Sequence, residues 1–282
     1  MKLFIVSIVL TVLTSCGGGG SSDSEPEKAA TLLNGVEVST FIYQLQKLFK
    51  TESVDLLDAT EYDMLVVEPG FNFTVYPYKT EYMVTQLKTK PNGDERILLA
   101  YIDIGQAEDY RDNWLANQAS STDNWQVPTL GNPGNPEFIV STYPDGWEGN
   151  FPVAYWDPDW RKLWNGDNGI IQKIADFGFD GIYLDRVEAY DDDDIIARAA
   201  TDGVDPAFEM MEFIQAMKTK GQVVKSDFLV VAQNASYLLD FNPERYASII
   251  SALATEDTWF YGEGDVPWDD ADAGDLVRRR QA

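Results

Sequence analysis

The chain has 282 residues, with 47 Asp and Glu against 21 Lys and Arg, for a formal net charge of −26 at pH 7. It contains no histidine and a single cysteine, Cys16. Ser-His-Asp and Cys-His nucleophilic sites are therefore excluded, as are His-ligated zinc sites, and no Gly-x-x-x-x-Gly-Lys-Ser/Thr phosphate loop occurs. The acidic balance disfavours nucleic acid, whose binding rests on Lys and Arg contacts to phosphate. It suits a cationic polymer, although acidic surfaces also serve solubility alone. Any chemistry falls to carboxylates, and paired carboxylates acting at carbon are above all the apparatus of glycoside hydrolysis.

Lys2 followed by the apolar run 3–13 reads as an export signal, too short for a bilayer span of roughly 20 apolar residues. Leu13-Thr14-Ser15-Cys16 is similar to a bacterial lipobox, which implies lipidation of Cys16. An ordinary secretory signal with an incidental cysteine is the other reading. A lone cysteine cannot form an internal disulfide, which favours lipidation. Residues 17–33 then form a Gly/Ser/acidic tether with a reach of roughly 20 Å. By resemblance to proteobacterial lipoproteins, Gly17 and Gly18 in place of a retention acid point to the outer membrane, in either leaflet. The expected organisation is a signal at 1–16, the tether, and one domain over 34–282.

Seven apolar, β-branched or aromatic runs follow, at 40–45, 64–68, 97–103, 153–157, 181–185, 228–234 and 249–256. Continuous apolar strands of this kind build a parallel sheet covered by helices. A helix over 206–220 is opened by Asp205-Pro206 and closed by Gly221; Asp157-Pro158 opens another, and Gly178 closes 170–177. The stretch 78–88 is a further, weaker helix signal. The pattern predicts a (β/α)8 TIM-type barrel, with functional groups at the carboxyl ends of its strands. An open doubly wound sheet would carry a Gly-rich first turn, and none is present. No β-rich run follows the seventh, so the barrel is expected to lack its last strand through C-terminal truncation, or to close through another segment.

Three segments carry a family resemblance. They are Tyr101-Ile102-Asp103-Ile104-Gly105-Gln106-Ala107-Glu108-Asp109-Tyr110-Arg111 with Trp114 beyond, Tyr155-Trp156-Asp157-Pro158-Asp159-Trp160, and Gly178-Phe179-Asp180-Gly181-Ile182-Tyr183-Leu184-Asp185. Tyr43-Gln44-Leu45, Ala232-Gln233-Asn234 and Glu256-Asp257 followed by Trp259-Phe260-Tyr261 support them. In this order they resemble the endo-α-1,4-polygalactosaminidase-like glycoside hydrolases, family 114 and its relatives, which include the hydrolase domain of the Pel exopolysaccharide system. The resemblance implies a (β/α)8 barrel that cleaves α-1,4 bonds of galactosamine-containing polymers. It makes Asp185 the catalytic aspartate and Glu256 the catalytic glutamate. Asp103, Glu108, Tyr110, Arg111, Trp156, Asp157, Tyr183, Asn234 and Trp259 become the candidate substrate contacts. Asp103 and Gln106 stand where the family segment has Ser and Glu.

Other readings of these residues remain open. Asp185 could form a salt bridge with Arg186 or Arg111, and Asp257 could replace Glu256. Asp103, Glu108, Tyr110 and Arg111 could hold a loop by ion pairs, and most of Trp114, Trp125, Trp147, Trp156 and Trp160 are expected to be packing residues. Gln233-Asn234 is a candidate amide pair for substrate. Asp191 to Asp194 read as a helix start rather than a calcium site. No cofactor and no metal are expected. The expected partner is a cationic aminosugar polysaccharide as substrate of a monomeric protein, with no nucleic acid and with membrane contact through the lipid anchor alone. The alternative function is a non-catalytic polysaccharide-binding lipoprotein on the same barrel.

Overall fold

A computed structural model describes residues 9–11, 31–71, 78–118, 124–129, 134–142 and 149–256. Six parallel strands form a curled half-barrel: β1 Phe41–Gln44, β2 Met64–Val67, β3 Ile97–Asp103, β4 Gly181–Asp185, β5 Leu229–Gln233 and β6 Ala252–Thr255. Each pairs with the next in chain order. The helices among the described residues are α1 Thr51–Asp58, α2 Thr80–Leu87, α3 Asp112–Gln118, α4 Pro158–Asn165, α5 Ile170–Asp176, α6 Asp193–Asp202, α7 Pro206–Val224, α8 Leu238–Phe241 and α9 Pro243–Ile249.

Alternation along the strands separates two apolar layers. Met64, Val66, Ile97, Leu99, Tyr183, Val231 and Ala254 pack together on the concave face. Leu65, Val67, Leu98, Ala100, Ile182, Leu184, Val230 and Ala232 face the helices. Continuing the inward parity up each strand brings Glu68, Asp103, Asp185, Gln233 and Glu256 to the same side at the carboxyl ends.

The run 153–157 is not a barrel strand; β3 pairs directly with β4. Its backbone is used by the layer above the sheet. Val153 N donates to Gly105 O at 3.1 Å and Ala154 N to Phe138 O at 2.8 Å. Asp157 is already the N-cap of α4, its carboxylate accepting from Asp159 N and Trp160 N. The apolar character of 153–155 reflects burial outside the barrel sheet, with Val153 bridged antiparallel to Ile139. Gly221 does not end α7, which runs on to Val224. A Cβ at Gly221 would lie 2.2 Å from Phe228 Cδ1, so this glycine serves close packing. Gly178, by contrast, lies just beyond α5 at φ +93°, as expected of a stop.

The strand Val9–Thr11, from the middle of the presumed signal, lies antiparallel along the outer edge of β6. Among the described residues β1 and β6 do not pair with each other, so the sheet stays open. Residues 257–282, whose sequence holds no further β-rich run, lie outside the described residues, as does Cys16. No described helix is long and apolar enough to cross a membrane.

The amino-terminal end of the sheet is locked by two buried acids. Asp63 accepts from Ser39 and Thr40 through both backbone and hydroxyl, and from Lys90 Nζ at 3.0 Å. Asp180 accepts from Leu98 N at 2.9 Å and from Lys88 Nζ at 2.5 Å. The Gly-Phe-Asp-Gly part of the strongest motif is thus structural. Phe179 is buried, Asp180 is paired, and a Cβ at Gly181 would sit 2.1 Å from Leu229 O.

Candidate active site

Asp185, the last residue of β4, accepts three hydrogen bonds. Tyr101 OH donates to Oδ2 at 2.5 Å, while Arg186 N and Gln233 Nε2 donate to Oδ1 at 2.8 and 3.1 Å. Glu256 follows β6. Its Oε2 accepts from Gln233 Nε2 and Asn234 Nδ2, both at 2.8 Å. One amide nitrogen therefore bridges the two carboxyls, which keeps their bonded oxygens within about 6 Å, on the scale of a glycosidase pair. Burial raises the Asp185 carboxyl above its ordinary pKa, against the hydrogen bonds from Tyr101 and Arg186 N.

The residues following β4 and β5 are both left-handed: Arg186 at φ +58° and Asn234 at φ +64°. Non-glycine residues rarely adopt this conformation, and here it has a use. It turns the Arg186 N–H back onto Asp185, and it sets the Asn234 side chain against Glu256. Gly105 permits the first of these turns, because a Cβ there would lie 2.6 Å from Arg186 O.

Beneath the pair is an aromatic layer. The Tyr43 ring stands edge-on to Tyr101 and to Tyr183, with centroids 5.6 Å apart in both cases. Tyr183 is therefore part of the floor, its hydroxyl buried without a hydrogen-bond partner among the described residues. Asp103 stands beside Asp185 in register and accepts from Gly105 N at 3.1 Å. Burial, then Glu108 and Asp185, push its carboxyl well above the usual range.

The third-strand cluster forms one ion-pair network. Arg111 donates to Glu68 at 2.8 Å and to Glu108 at 2.6 and 3.2 Å, and Tyr110 OH bonds Glu108. Burial opposes the charge on Arg111, but Glu68 and Glu108 more than offset it and raise its pKa. Asp103, Gln106, Glu108 and Arg111 line a pocket with Trp160 and Trp164. Gln106 accepts from Asn150 in the hairpin of Gln106–Glu108 and Asn150–Pro152.

Other candidates have structural work. Asp157 caps α4, and Trp156 donates to Asp202 at 2.9 Å while remaining partly exposed. Trp114, Trp125 and Trp160 are buried. Asp193 and Asp194 open α6, and Asp192 pairs with Arg186. Trp259, Asp257 and Trp147 lie outside the described residues. Glu188 was missed by the sequence reading, although it is only three residues beyond Asp185; the motif's apparent end at Asp185 concealed it.

Carboxyls gathered at the carboxyl ends of parallel strands are an arrangement that glycoside hydrolases use. The sequence profile of glycoside-hydrolase family GH114 matches residues 24–257, and the chain belongs to that family. It is 26% identical over 267 residues to an uncharacterised protein of Thermotoga maritima, covering 92% of this chain and 69% of the relative. It is 30% identical over 166 residues to one of Deinococcus radiodurans, covering 59% of this chain and 46% of that protein. An uncharacterised protein of Methanocaldococcus jannaschii is 28% identical over 225 residues, 78% of this chain and 56% of the relative. The chain thus spans about half the length of the last two.

Among solved structures it is similar to Aspergillus fumigatus Ega3 in complex with galactosamine, at 13% identity and TM-score 0.47, covering 81% of this chain and 70% of that one. It is also similar to the glycoside hydrolase domain of PelA from Pseudomonas aeruginosa, at 16% identity and TM-score 0.47, covering 86% and 80%.

Proposed function

We propose that this chain hydrolyses α-1,4 bonds within a galactosamine-containing, cationic polysaccharide, with Asp185 and Glu256 as the carboxylate pair. The observation that carries the reading is the Gln233 amide shared by the two carboxyls. The family resemblance and the net charge of −26 support the choice of polymer.

Three donors converge on Asp185 and partly offset the burial that raises its pKa, and Asp185 is assigned as the nucleophile. Its oxygen bonds to the anomeric carbon as the bond to the leaving sugar oxygen breaks, and Glu256 supplies the proton to that oxygen. Water then attacks the glycosyl-Asp185 ester, giving its proton to Glu256 and releasing Asp185. Asp103 and the exposed edge of Trp156 contact the sugar, and the Arg111 network holds the wall behind them.

The test is reducing-end release from partially deacetylated polygalactosamine by the full chain and by Asp185→Asn. Binding without cleavage, unchanged in the variant, would establish the polysaccharide-binding alternative instead. We further propose export and tethering through lipidated Cys16, checked by incorporation of labelled palmitate in the parent and its loss in Cys16→Ser.

A further inference from the structure

Glu188 occupies the 3-10 turn Val187–Asp191, directly after the left-handed Arg186. Its Oε1 accepts from Arg186 Nη1 at 3.3 Å. Its Oε2 is buried with no hydrogen-bond partner among the described residues. Leaving a carboxyl oxygen buried and unpaired is costly when the group is ionised. Two further buried atoms of this region, Tyr183 OH and Gln233 Oε1, also lack hydrogen-bond partners. Arg186 links Glu188 to the pair, since its guanidinium holds Glu188 while its backbone N–H holds Asp185.

We propose that Glu188 is a third ionisable member of the site, a positioning residue that sets the proton affinity of the Asp185–Glu256 pair through Arg186 and through its own charge. This rests on the assignment of that pair.

The surroundings of the turn define which charges act. It packs against α6, α7 and β5. Its own segment contributes Arg186 and Tyr190, β4 contributes Asp185 and Tyr183, the end of β6 contributes Glu256, and α9 contributes Tyr246. From α6, Arg198 and Asp202 pair with each other, and the preceding Asp192 pairs with Arg186. On α7, Glu209 pairs with Arg161 and Glu212 with Arg245. The polar side chain of β5 is the uncharged Gln233. Burial, opposed by Arg186 and reinforced by Asp185 and Glu256, pushes the Glu188 carboxyl up to about 7. The group therefore changes charge near neutrality. Once ionised, it makes the last proton on the pair harder to remove and extends activity to higher pH.

The experiment combines the pH dependence of kcat/KM with carbon-13 NMR titration of the labelled Asp and Glu carboxyls, in the full chain and in Glu188→Gln and Glu188→Asp. The expected result for Glu188→Gln is an alkaline limb displaced to lower pH by roughly half a unit or more, since one nearby charge is lost. KM stays unchanged, and the carboxyl midpoints of the pair move the same way. Glu188→Asp, which keeps the charge, restores the limb. Linkage also requires the Glu188 midpoint to fall in Asp185→Asn, a readout that serves even where Glu188→Gln does not fold. Unmoved limbs and midpoints, or equal shifts in both Glu188 variants, would overturn the inference. Coupled carboxyl titrations in a protein that cleaves nothing would leave the inference standing and remove the proposed function.

Discussion

Asn234 and Glu256 form a closed hydrogen-bonded ring. The Asn234 amide nitrogen donates to Glu256 Oε2 at 2.8 Å, while the Glu256 backbone N donates to Asn234 Oδ1 at 2.9 Å. Asn234 thus aims the acid rather than simply facing the sugar. Asn234→Ala is expected to lower kcat by about 10²-fold with little change in KM, because small misplacements of a reacting group carry penalties of that order. Steady-state kinetics on the aminosugar polymer measure it. A rise in KM at constant kcat would return Asn234 to the role of substrate contact.

Asp185→Asn and Glu256→Gln should each reduce turnover by at least about 10³-fold, some 4 kcal/mol of transition-state stabilisation. Circular dichroism should remain that of the parent. The double variant should lose little more than either single one, as befits groups acting in one step. Additive losses in reducing-end assays would separate the two residues.

The shared Gln233 donor keeps the bonded carboxyl oxygens within about 6 Å, and the proposed two-step route through a glycosyl-Asp185 ester inverts the anomeric carbon twice. An α-linked polymer should therefore yield the α-anomer first. Proton NMR of the newly formed reducing end, recorded before mutarotation, reads this directly, and a β-anomer would reassign the mechanism.

Burial acts to raise the Asp63 pKa, but Lys90 and the Ser39 and Thr40 donors overcome it and leave the carboxyl well below its ordinary value. A depressed folded-state pKa stabilises the protein above the unfolded-state value of about 3.9, and that stability drains away as pH falls towards the folded value. Asp63→Asn should consequently lower the urea midpoint somewhat more at pH 7 than at pH 3, the gap widening as pH falls further towards the folded value. At neutral pH the loss should be about 2–4 kcal/mol, since Lys90 and four donors lose a charged partner. An equal loss at both pH values would show that its hydrogen-bonding shape, rather than its charge, is what counts.

Gly181→Ala places a methyl group 2.1 Å from the Leu229 carbonyl oxygen, across the β4–β5 pair. The backbone cannot yield without parting the strands. The expected cost is about 3 kcal/mol or more, seen as a lower melting temperature or loss of soluble protein. Gly203→Ala, with open space around it, should cost less, its strain being that of φ +71° alone.

Six of the seven strands expected from sequence became barrel strands, and all but the half-buried edge strand β1 are buried on both faces, as a parallel sheet demands. The run 153–157 shares that composition but is buried by α4 and the loop layer, a distinction composition cannot carry. Asp185 and Glu256 were legible as acids ending apolar runs, where strand ends point into a site. Asp157 read as a substrate contact only because its motif did; Asp-Pro before a helix was the better guide. Neither the bridging of the pair by Gln233 nor the left-handed turns at Arg186 and Asn234 could be read in advance. Both depend on neighbouring strands being brought side by side.

Among the described residues, three tyrosines form a floor under the carboxyl pair. Tyr43, Tyr101 and Tyr183 close the passage towards the Met64, Val66 and Leu99 layer below. The mouth of the site lies above them, at the strand ends. Under the proposed function, a polymer lies across that rim and meets the carboxyls along its flank. A long chain bound in that way needs no free end to be cut.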